Sequence, residues 1–226
     1  MKSNTKHILY IAIGFWIITT AFILYLFWPL ILQEFNYYFS KKSNDASQEK
    51  VIEENKDGGK VMYDVPNKIV IPKINVDAPI IEAISFEEKD IINALESGVA
   101  HYPNTAIPGE VGNVFLTGHS SNYSWAKGSF NYAFSILNKL VAGDRIYIYY
   151  DKYLYIYDVF EVIIVSPKDT SVLNQSTDSI ISLMTCDPPG TTWKRRIVKA
   201  RQVEPNPQDN KKVEFKIVVP AGLVGN

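Results

Sequence analysis

Cysteine is almost missing from this chain of 226 residues, which contains only Cys186. A disulfide within the chain is therefore impossible, and a zinc site made of several cysteines is excluded. An excess of charge of either sign is missing as well, because 23 basic and 24 acidic residues give a net charge of −1. No basic stripe interleaved with aromatic residues is present, so the sequence predicts no nucleic-acid partner.

Charged residues are missing altogether from residues 8–32. Residues 8–28 alone span about 30 Å as a helix, which is enough to cross a bilayer. A cleaved signal peptide is the alternative, but the length of the stretch, its aromatic residues and the lack of a small-residue cleavage pattern favour a retained anchor. The flanking lysines slightly favour a cytoplasmic N-terminus. We therefore predict a cytoplasmic segment 1–7, a single transmembrane anchor at 8–32 and an extracytoplasmic remainder.

Large apolar side chains are scarce in residues 41–59, a short distance after the anchor. Residues 41–59 are rich in Ser, Asn, Asp, Glu and Lys, and such a segment buries too little surface to offset its chain entropy. We therefore predict a flexible polar stalk at 33–60. Residues 61–226 are long enough for one globular domain.

This globular part is rich in β-strand patterns. Short runs of branched and aromatic residues, separated by turn-forming residues, are typical of an antiparallel barrel. Residues 129–140 read as an irregular or helical crossover, and residues 167–179 as a polar loop. The predicted strands lie at 69–76, 78–81, 111–118, 145–150, 153–165, 180–186 and 194–203, with a further candidate at 213–219.

One helix interrupts these strands. Ser85 followed by Glu88 matches a capping box, and Ile91 and Leu95 belong to an apolar face. Gly98 is a typical C-terminal stop. The pattern predicts a short helix between Ser85 and Gly98.

Cys186 ends an apolar run and precedes the turn sequence Asp-Pro-Pro-Gly. A thiol at the end of a strand beside an open loop is placed to react, provided that a cation stabilises the thiolate or a base removes the proton. The alternative is a small buried core residue, which is what most free cysteines are.

His119 is the candidate base. It follows Gly118 at the end of an apolar run and precedes a polar loop, where an imidazole can exchange protons near neutral pH. His7 lies in the membrane flank and His101 in a loop, so His119 is the better candidate. An ordinary hydrogen-bonded histidine is the alternative.

Arg195 and Arg196 are candidate cations at the start of another strand. Neighbouring residues of a strand point to opposite faces, so only one of the two can share a face with the thiol. The alternation of apolar residues does not choose between them. A guanidinium that points inward is costly unless it meets an anion, and an oxyanion formed during acyl transfer is such a partner.

Four motifs follow one another along the chain: IPKI at 71–74, NVFLTGH at 113–119, LMTC at 183–186 and RRIV at 195–198. Taken together, they resemble the sortase family of membrane-anchored cysteine transpeptidases. The resemblance covers about residues 69–203 and favours Arg195, because the family's arginine stands two residues before a branched pair. It implies a mostly β fold with a closed eight-stranded sortase barrel and one or two short helices, and it leaves the subclass open.

The resemblance also implies a peptide-binding groove between the Cys186 strand and the loop 167–179. A sorting signal similar to LPxTG is expected to lie there. Five residues are candidate substrate contacts: Val172 and Leu173 as an apolar wall, Thr185 through its hydroxyl or backbone, Ala100 on the opposite side and Trp193 as a cap.

In such an enzyme His119, Cys186 and Arg195 are the catalytic residues. The implied partners are surface proteins that bear the sorting signal, an amine acceptor such as a cell-wall peptide or a protein lysine, and the membrane. No cofactor is implied. Residues 99–109, which correspond to the acidic calcium loop of some sortases, contain no carboxylate, so we predict no metal.

Three other functions stay open at this point. The first is a thiol peptidase that passes the acyl group to water. The second, a cysteine L,D-transpeptidase, is disfavoured because the His-Gly-Cys type of signature is missing around Cys186. The third is a membrane-tethered binding module whose thiol is structural.

Overall fold

The fold was analysed in a computed structural model that describes residues 2–54, 62–122, 126–215 and 222. Short 3₁₀ turns lie at Pro72–Ile74, Leu137–Lys139, Thr170–Leu173 and Pro207–Asp209. The helices and strands are α1 (Lys2–Glu54), β1 (Lys68–Ile71), β2 (Val76–Glu82), α2 (Glu88–Ser97), β3 (Val99–His101), β4 (Glu110–Thr117), β5 (Arg145–Tyr150), β6 (Tyr153–Val165), β7 (Ser179–Asp187), β8 (Lys194–Glu204) and β9 (Lys211–Lys212).

Strands β1 to β8 close into a barrel. They pair in the order β3-β2-β1-β5-β6-β8-β7-β4, and an additional pairing of β3 with β4 completes the ring. The short strand β9 adds only a parallel ladder to the start of β4. The predicted mostly β fold, a closed barrel of eight strands, is therefore confirmed.

The strand pattern alone had indicated an antiparallel barrel, but two of the strand pairs are parallel. β2 pairs in parallel with β3, and β4 pairs in parallel with β7. Parallel neighbours need a crossover connection. Here α2 makes the first crossover, and the hairpin of β5 and β6 lies within the second.

Strands β4, β7 and β8 bury apolar side chains on both of their faces. Successive side chains of a strand point to opposite sides, and each side of this part of the sheet has its own cluster. The inner cluster fills the barrel and includes Leu116, Leu183 and Val198. The outer cluster lies beneath α2 and the turn Thr170–Leu173, and includes Phe115, Met184 and Ile197.

Helix α2 lies where the sequence predicted a helix, but its ends are made differently. Its N-cap is Glu87, which makes no side-chain capping bond. The Ser85 hydroxyl accepts from the Glu87 N–H at 3.1 Å and donates to Asp90 Oδ2 at 2.6 Å, so the predicted capping box does not form. Gly98 ends the helix in an extended conformation with φ of 173°. Its lack of a side chain permits close packing, because a Cβ would lie 2.2 Å from the Pro79 carbonyl oxygen.

Helix α1 includes one segment, Lys6–Trp28, that is long and apolar enough to cross a membrane. The helix continues to Glu54, through most of the predicted flexible stalk, while residues 55–60 lie outside the described residues. Glu, Gln, Lys and Ala recur in residues 41–54 and have high helix propensity, which accounts for the helical course of this stretch. At the other end of the chain, the described residues 213–215 form no strand, and residues 216–219 lie outside the described part.

The part of α1 that follows the apolar segment packs against the barrel. Gln33 Nε2 donates to the Tyr132 carbonyl oxygen at 3.2 Å, and Gln33 Oε1 accepts from the Ser135 hydroxyl. Glu34 forms an ion pair of 3.0 Å with Lys139. The barrel is therefore in direct contact with α1, only a few residues beyond the apolar segment.

The close approach of Gly98 to β2 generates a test of the fold. Gly98→Ala should lower the free energy of unfolding by about 1–3 kcal/mol, because the added methyl group overlaps a backbone oxygen that cannot move without shifting the strand. The neighbouring Ser97→Ala, at an exposed position, is the matched control. Thermal unfolding of the full chain in detergent measures both, and equal midpoints would contradict the packing described.

Candidate active site

The pairing of β7 with β8 brings the thiol and one arginine together. Cys186 and Arg195 are direct cross-strand partners, and directly opposed residues carry Cβ atoms about 4.5–5.5 Å apart on the same face. Both residues are buried, with 2% and 4% of their surface exposed. A cation is therefore held beside the sulfur in a place of low solvent access.

His119 reaches the same place along β4. The parallel ladder of β4 and β7 opposes Thr117 to Met184, and the Gly118 N–H continues it by donating to the Met184 carbonyl oxygen at 3.1 Å. Two residues further along both strands, the same register places His119 opposite Cys186. His119 is buried, with 3% of its surface exposed. The three predicted catalytic residues therefore lie at the ends of three adjacent strands.

Arg196 lies on the opposite face and has a different partner. Its Nη2 contacts Asp187 Oδ1 at 2.9 Å as an ion pair. This assignment resolves the choice that the alternation of apolar residues left open: Arg195 shares a face with the thiol, and Arg196 does not.

The backbone just before β8 orients the Arg195 guanidinium. Nη1 of Arg195 donates to the carbonyl oxygens of Thr192 and Lys194, at 3.1 and 3.2 Å. These carbonyls offset part of the cost of burying the cation. They are neutral acceptors, so they orient the guanidinium without removing its positive charge.

Burial raises the pKa of the Cys186 thiol above its usual range, and the positive charge of Arg195 offsets part of this rise. Burial acts through desolvation, which disfavours the thiolate, whereas a nearby cation favours it. The resting thiol is therefore mainly protonated at neutral pH. Efficient attack on a carbonyl requires that its proton be removed as the substrate arrives.

A backbone contact from a distant segment fixes the loop that carries His119. The Phe134 N–H donates to the His119 carbonyl oxygen at 2.9 Å. The Phe134 ring lies so near Gly118 that a Cβ there would come within 2.6 Å of it. Sequence reasoning missed Phe134, because residues 129–140 showed only an irregular pattern with no signal of a contact to the histidine.

The other histidine of the barrel is held by neighbouring groups. His101 Nδ1 lies 2.5 Å from Glu82 Oε2, and its Nε2 lies 2.9 Å from the Ala106 carbonyl oxygen. Burial raises the pKa of Glu82, but the hydrogen bond and charge of His101 outweigh burial and lower it overall. His101 therefore links β3 to its neighbours and lies in a different constellation from Cys186.

Three of the five predicted substrate contacts share one apolar cluster. Val172, Leu173 and Ala100 are all buried in the outer cluster, together with Met184 and Ile197. Met184 and Ile197 lie two residues from Cys186 and Arg195 on the same strand faces. Val172, Leu173 and Ala100 are thus linked through this cluster to the strand faces that carry Cys186 and Arg195, although little of their surface is exposed. Their contact with a peptide stays a prediction.

The other two predicted contacts lie differently. The Thr185 hydroxyl donates to the Gly118 carbonyl oxygen at 2.8 Å, so it links β7 to β4 on the face opposite to Cys186. The proton of its hydroxyl is therefore used within the barrel, and a contact of Thr185 with a peptide, through its hydroxyl oxygen or its backbone, stays a prediction. Trp193 is 73% exposed, and its role as a cap stays a prediction. In the described parts of the chain, no group of three or more His, Cys, Asp or Glu side chains is arranged to hold a metal ion.

The closed eight-stranded barrel carries a buried cysteine, histidine and arginine at adjoining strand ends. These features place the chain in a class of β-barrel proteins with a cysteine in the candidate active site. Residues 69–203 match the family model of the sortase domain, and this match covers more than half of the chain. The chain belongs to the sortase family.

Individual relatives agree with this assignment. Sortase D of Bacillus subtilis is 29% identical over 137 residues, which are 59% of this chain and 61% of that protein. Sortase SrtE1 of Streptomyces coelicolor is 31% identical over 157 residues, 63% of this chain and 41% of that protein. The chain thus spans less than two thirds of either relative's length.

A solved structure shows the same fold. Sortase A from Corynebacterium diphtheriae, a lid mutant, superposes with a TM-score of 0.52 at 28% identity, covering 69% of this chain and 77% of that one. The structural likeness therefore extends over more than two thirds of this chain.

The raised pKa of Cys186 generates a test of the site. The rate of alkylation by iodoacetamide should rise with pH and reach half its maximum above the usual thiol range. Arg195→Met should move this midpoint higher still, because it removes the cation that stabilises the thiolate. Mass spectrometry of the full chain after timed alkylation measures the rates.

Arg196→Met is the matched control, since Arg196 pairs with Asp187 on the other face. Its midpoint should stay close to that of the unchanged protein. A midpoint that falls in Arg195→Met, or that moves equally in both variants, would contradict the arrangement.

Proposed function

We propose that this protein is a cysteine transpeptidase that cleaves a sorting signal of a surface protein and transfers the new carboxyl end to an amine. The observation that supports the proposal is the register of three adjacent strands, whose ends carry the three candidate residues. Cys186 opposes Arg195 across β7 and β8, and His119 follows the parallel neighbour β4. Membership of the sortase family supports the same reaction.

The first half of the reaction forms a thioester. Neutral His119 takes the proton of the Cys186 thiol, the resulting thiolate attacks the scissile carbonyl carbon, and the carbonyl electron pair moves to the oxygen. The Arg195 guanidinium stabilises this oxyanion. As the tetrahedral intermediate collapses, the C–N bond breaks and the His119 imidazolium gives its proton to the leaving amine.

The second half transfers the acyl group. An incoming amine loses a proton to neutral His119 and attacks the thioester carbonyl, and Cys186 leaves as a thiolate. A new amide bond forms, and no cofactor is consumed. Because one group must be deprotonated and another protonated, kcat/KM should be bell-shaped in pH.

The apolar cluster beside Cys186 supports a groove for a substrate segment similar to LPxTG. Val172, Leu173 and Ala100 belong to this cluster, and we assign Val172 and Leu173 to one wall of the groove and Ala100 to the other. The leucine and proline of the signal would displace water from this apolar surface. Trp193 is free to close over a bound peptide from its exposed position.

The apolar segment of α1 supports attachment to a membrane. In this arrangement residues 1–7 are cytoplasmic, residues 8–32 cross the bilayer once, and residues 61–226 form the extracytoplasmic catalytic domain. The partners are surface proteins that bear the sorting signal, and the amine acceptor is a cell-wall peptide or a protein lysine.

Trapping of the thioester tests the first half-reaction. A sorting peptide incubated without acceptor should raise the mass of the full chain by the mass of its acyl part, at Cys186. Cys186→Ala should show no adduct. His119→Gln should slow adduct formation by a factor on the order of 10²–10⁴, because the proton donor is lost.

His7→Gln is the control for the second variant, since His7 lies in α1, outside the barrel. It should form the adduct at the rate of the unchanged chain. An adduct on another residue, or normal cleavage by Cys186→Ala, would exclude Cys186 as the nucleophile. Binding of the peptide without any adduct or cleavage by the unchanged chain would favour a binding module.

Competition between water and an amine tests the second half-reaction. Added glycine peptides should divert the acyl group into a new amide product and raise turnover where thioester hydrolysis is slow. Liquid chromatography with mass detection separates the two products. If only the free acid forms at all amine concentrations, the protein is a thiol peptidase and the transfer step is disproved.

A further inference from the structure

A buried amide links β4 to the loop between β6 and β7. Asn113 is 1% exposed, and its Nδ2 donates to the carbonyl oxygens of Val172 and Asn174, at 2.9 and 3.3 Å. These carbonyls belong to the end of the turn Thr170–Leu173 and the residue after it. One side chain of β4 thus binds the backbone of a segment about sixty residues away.

A second amide completes this link from the opposite direction. Gln175 Oε1 accepts from the Asn113 N–H at 2.9 Å. Gln175 Nε2 donates to the carbonyl oxygens of Leu173 and Asn113, at 3.2 and 3.4 Å. We call Asn113 and Gln175, with these five hydrogen bonds, the amide clamp.

The backbone of β4 leaves room for this clamp. A Cβ on Gly112 would lie 2.7 Å from Gln175 Oε1, and the φ of Gly112 is +150°. Glycine tolerates such an approach and such a backbone conformation, whereas other residues do not. The space that Gln175 occupies therefore depends on the absence of a side chain next to Asn113.

The clamp donates hydrogen bonds to backbone carbonyl groups that have no donor within the turn itself. The last carbonyls of any helical turn have no intrahelical donor, and here the amides of Asn113 and Gln175 supply donors to those of residues 172–174. At the start of the turn, the Asp169 carboxylate accepts from the Ser171 N–H at 3.1 Å. Both ends of the turn are therefore capped, and its buried side chains Val172 and Leu173 are held in one orientation.

The clamp ties the groove wall to the strand that leads to His119. Asn113 opposes Ile180 in the parallel ladder of β4 and β7, so the wall, His119 and Cys186 all take their positions from the same two strands. All donors and acceptors of the clamp are protein amides and carbonyls, so its strength does not depend on a bound ion.

We propose that Asn113 and Gln175 are positioning residues that hold the apolar wall in its substrate-binding form and thereby set the affinity for the sorting peptide. This proposal rests on the proposed function. Neither amide touches the reacting atoms; both act through Val172 and Leu173. Preordering the wall lowers the entropy that substrate binding must otherwise offset.

Removal of the clamp should therefore affect binding more than chemistry. Gln175→Ala and Asn113→Ala should each raise KM for the sorting peptide by roughly tenfold, because buried carbonyls lose their donors and the turn loosens. The value of kcat and the alkylation rate of Cys186 should change by less than about twofold. Gln175→Ala is the milder change, since Gln175 is only partly buried.

Hydrogen exchange of the full chain in detergent supplies a measurement that needs no activity. Amides in residues 170–175 should exchange roughly tenfold faster in both variants, while those of β7 and β8 keep their protection. Thr177→Ala, an exposed change in the same loop, should leave both exchange and KM unaltered.

Three outcomes would overturn the proposal. Unchanged exchange at residues 170–175 would show that the clamp does not order the turn. Faster exchange throughout the barrel would show a merely structural role, and an unchanged KM with a lowered kcat would show that the effect lies in the chemical step. If the unchanged protein cleaves no sorting peptide, the proposed function fails, and exchange alone then reports whether the amides order the turn.

Discussion

The parallel pairing of β4 with β7 is the constraint on which the site depends. In the sequence, His119 and Cys186 are 67 residues apart. Their neighbours Gly118 and Thr185 are separated by the same number of residues and are hydrogen-bonded to each other. The ladder from Gly112 to Thr117 fixes their relative height with main-chain bonds alone. A shift of one residue would turn Cys186 to the other face of the sheet. The buried clusters on both sides of these strands oppose such a shift, because it would exchange the two sets of side chains.

Burial on both faces has an electrostatic consequence for the thiol. The same packing that stabilises β7 removes water from Cys186 and raises its pKa, while the cross-strand Arg195 opposes that change. A thiol that is protonated at rest is protected from oxidation and alkylation. Two backbone carbonyls orient the guanidinium that exerts this opposing charge. The stability of the barrel and the pKa of the thiol thus depend on one arrangement of strands.

Sequence reasoning was successful where the information is local and less so where it is not. The motifs around Cys186 and His119, and the barrel they imply, could be predicted because each motif lies in one segment. The bonds of Thr185 to Gly118 and of Asn113 to the loop at 172–174 join distant segments, and only the register of β4 and β7 brings them together. The helical course of α1 beyond the apolar segment was missed for another reason: composition predicted that this stretch buries little, but residues that bury little can still form a helix.

The barrel segment 132–139 contacts both α1 and the loop that carries His119. Gln33 binds the backbone of Tyr132, and two residues later the Phe134 N–H binds the His119 carbonyl oxygen. Lys139, which closes the same segment, forms an ion pair with Glu34 and lies 5.5 Å from the Tyr37 ring centroid. The segment 132–139 is therefore held from two sides, by the backbone of His119 and by residues of α1. The support of the histidine loop therefore includes a part of the chain that lies outside the barrel, next to the apolar segment.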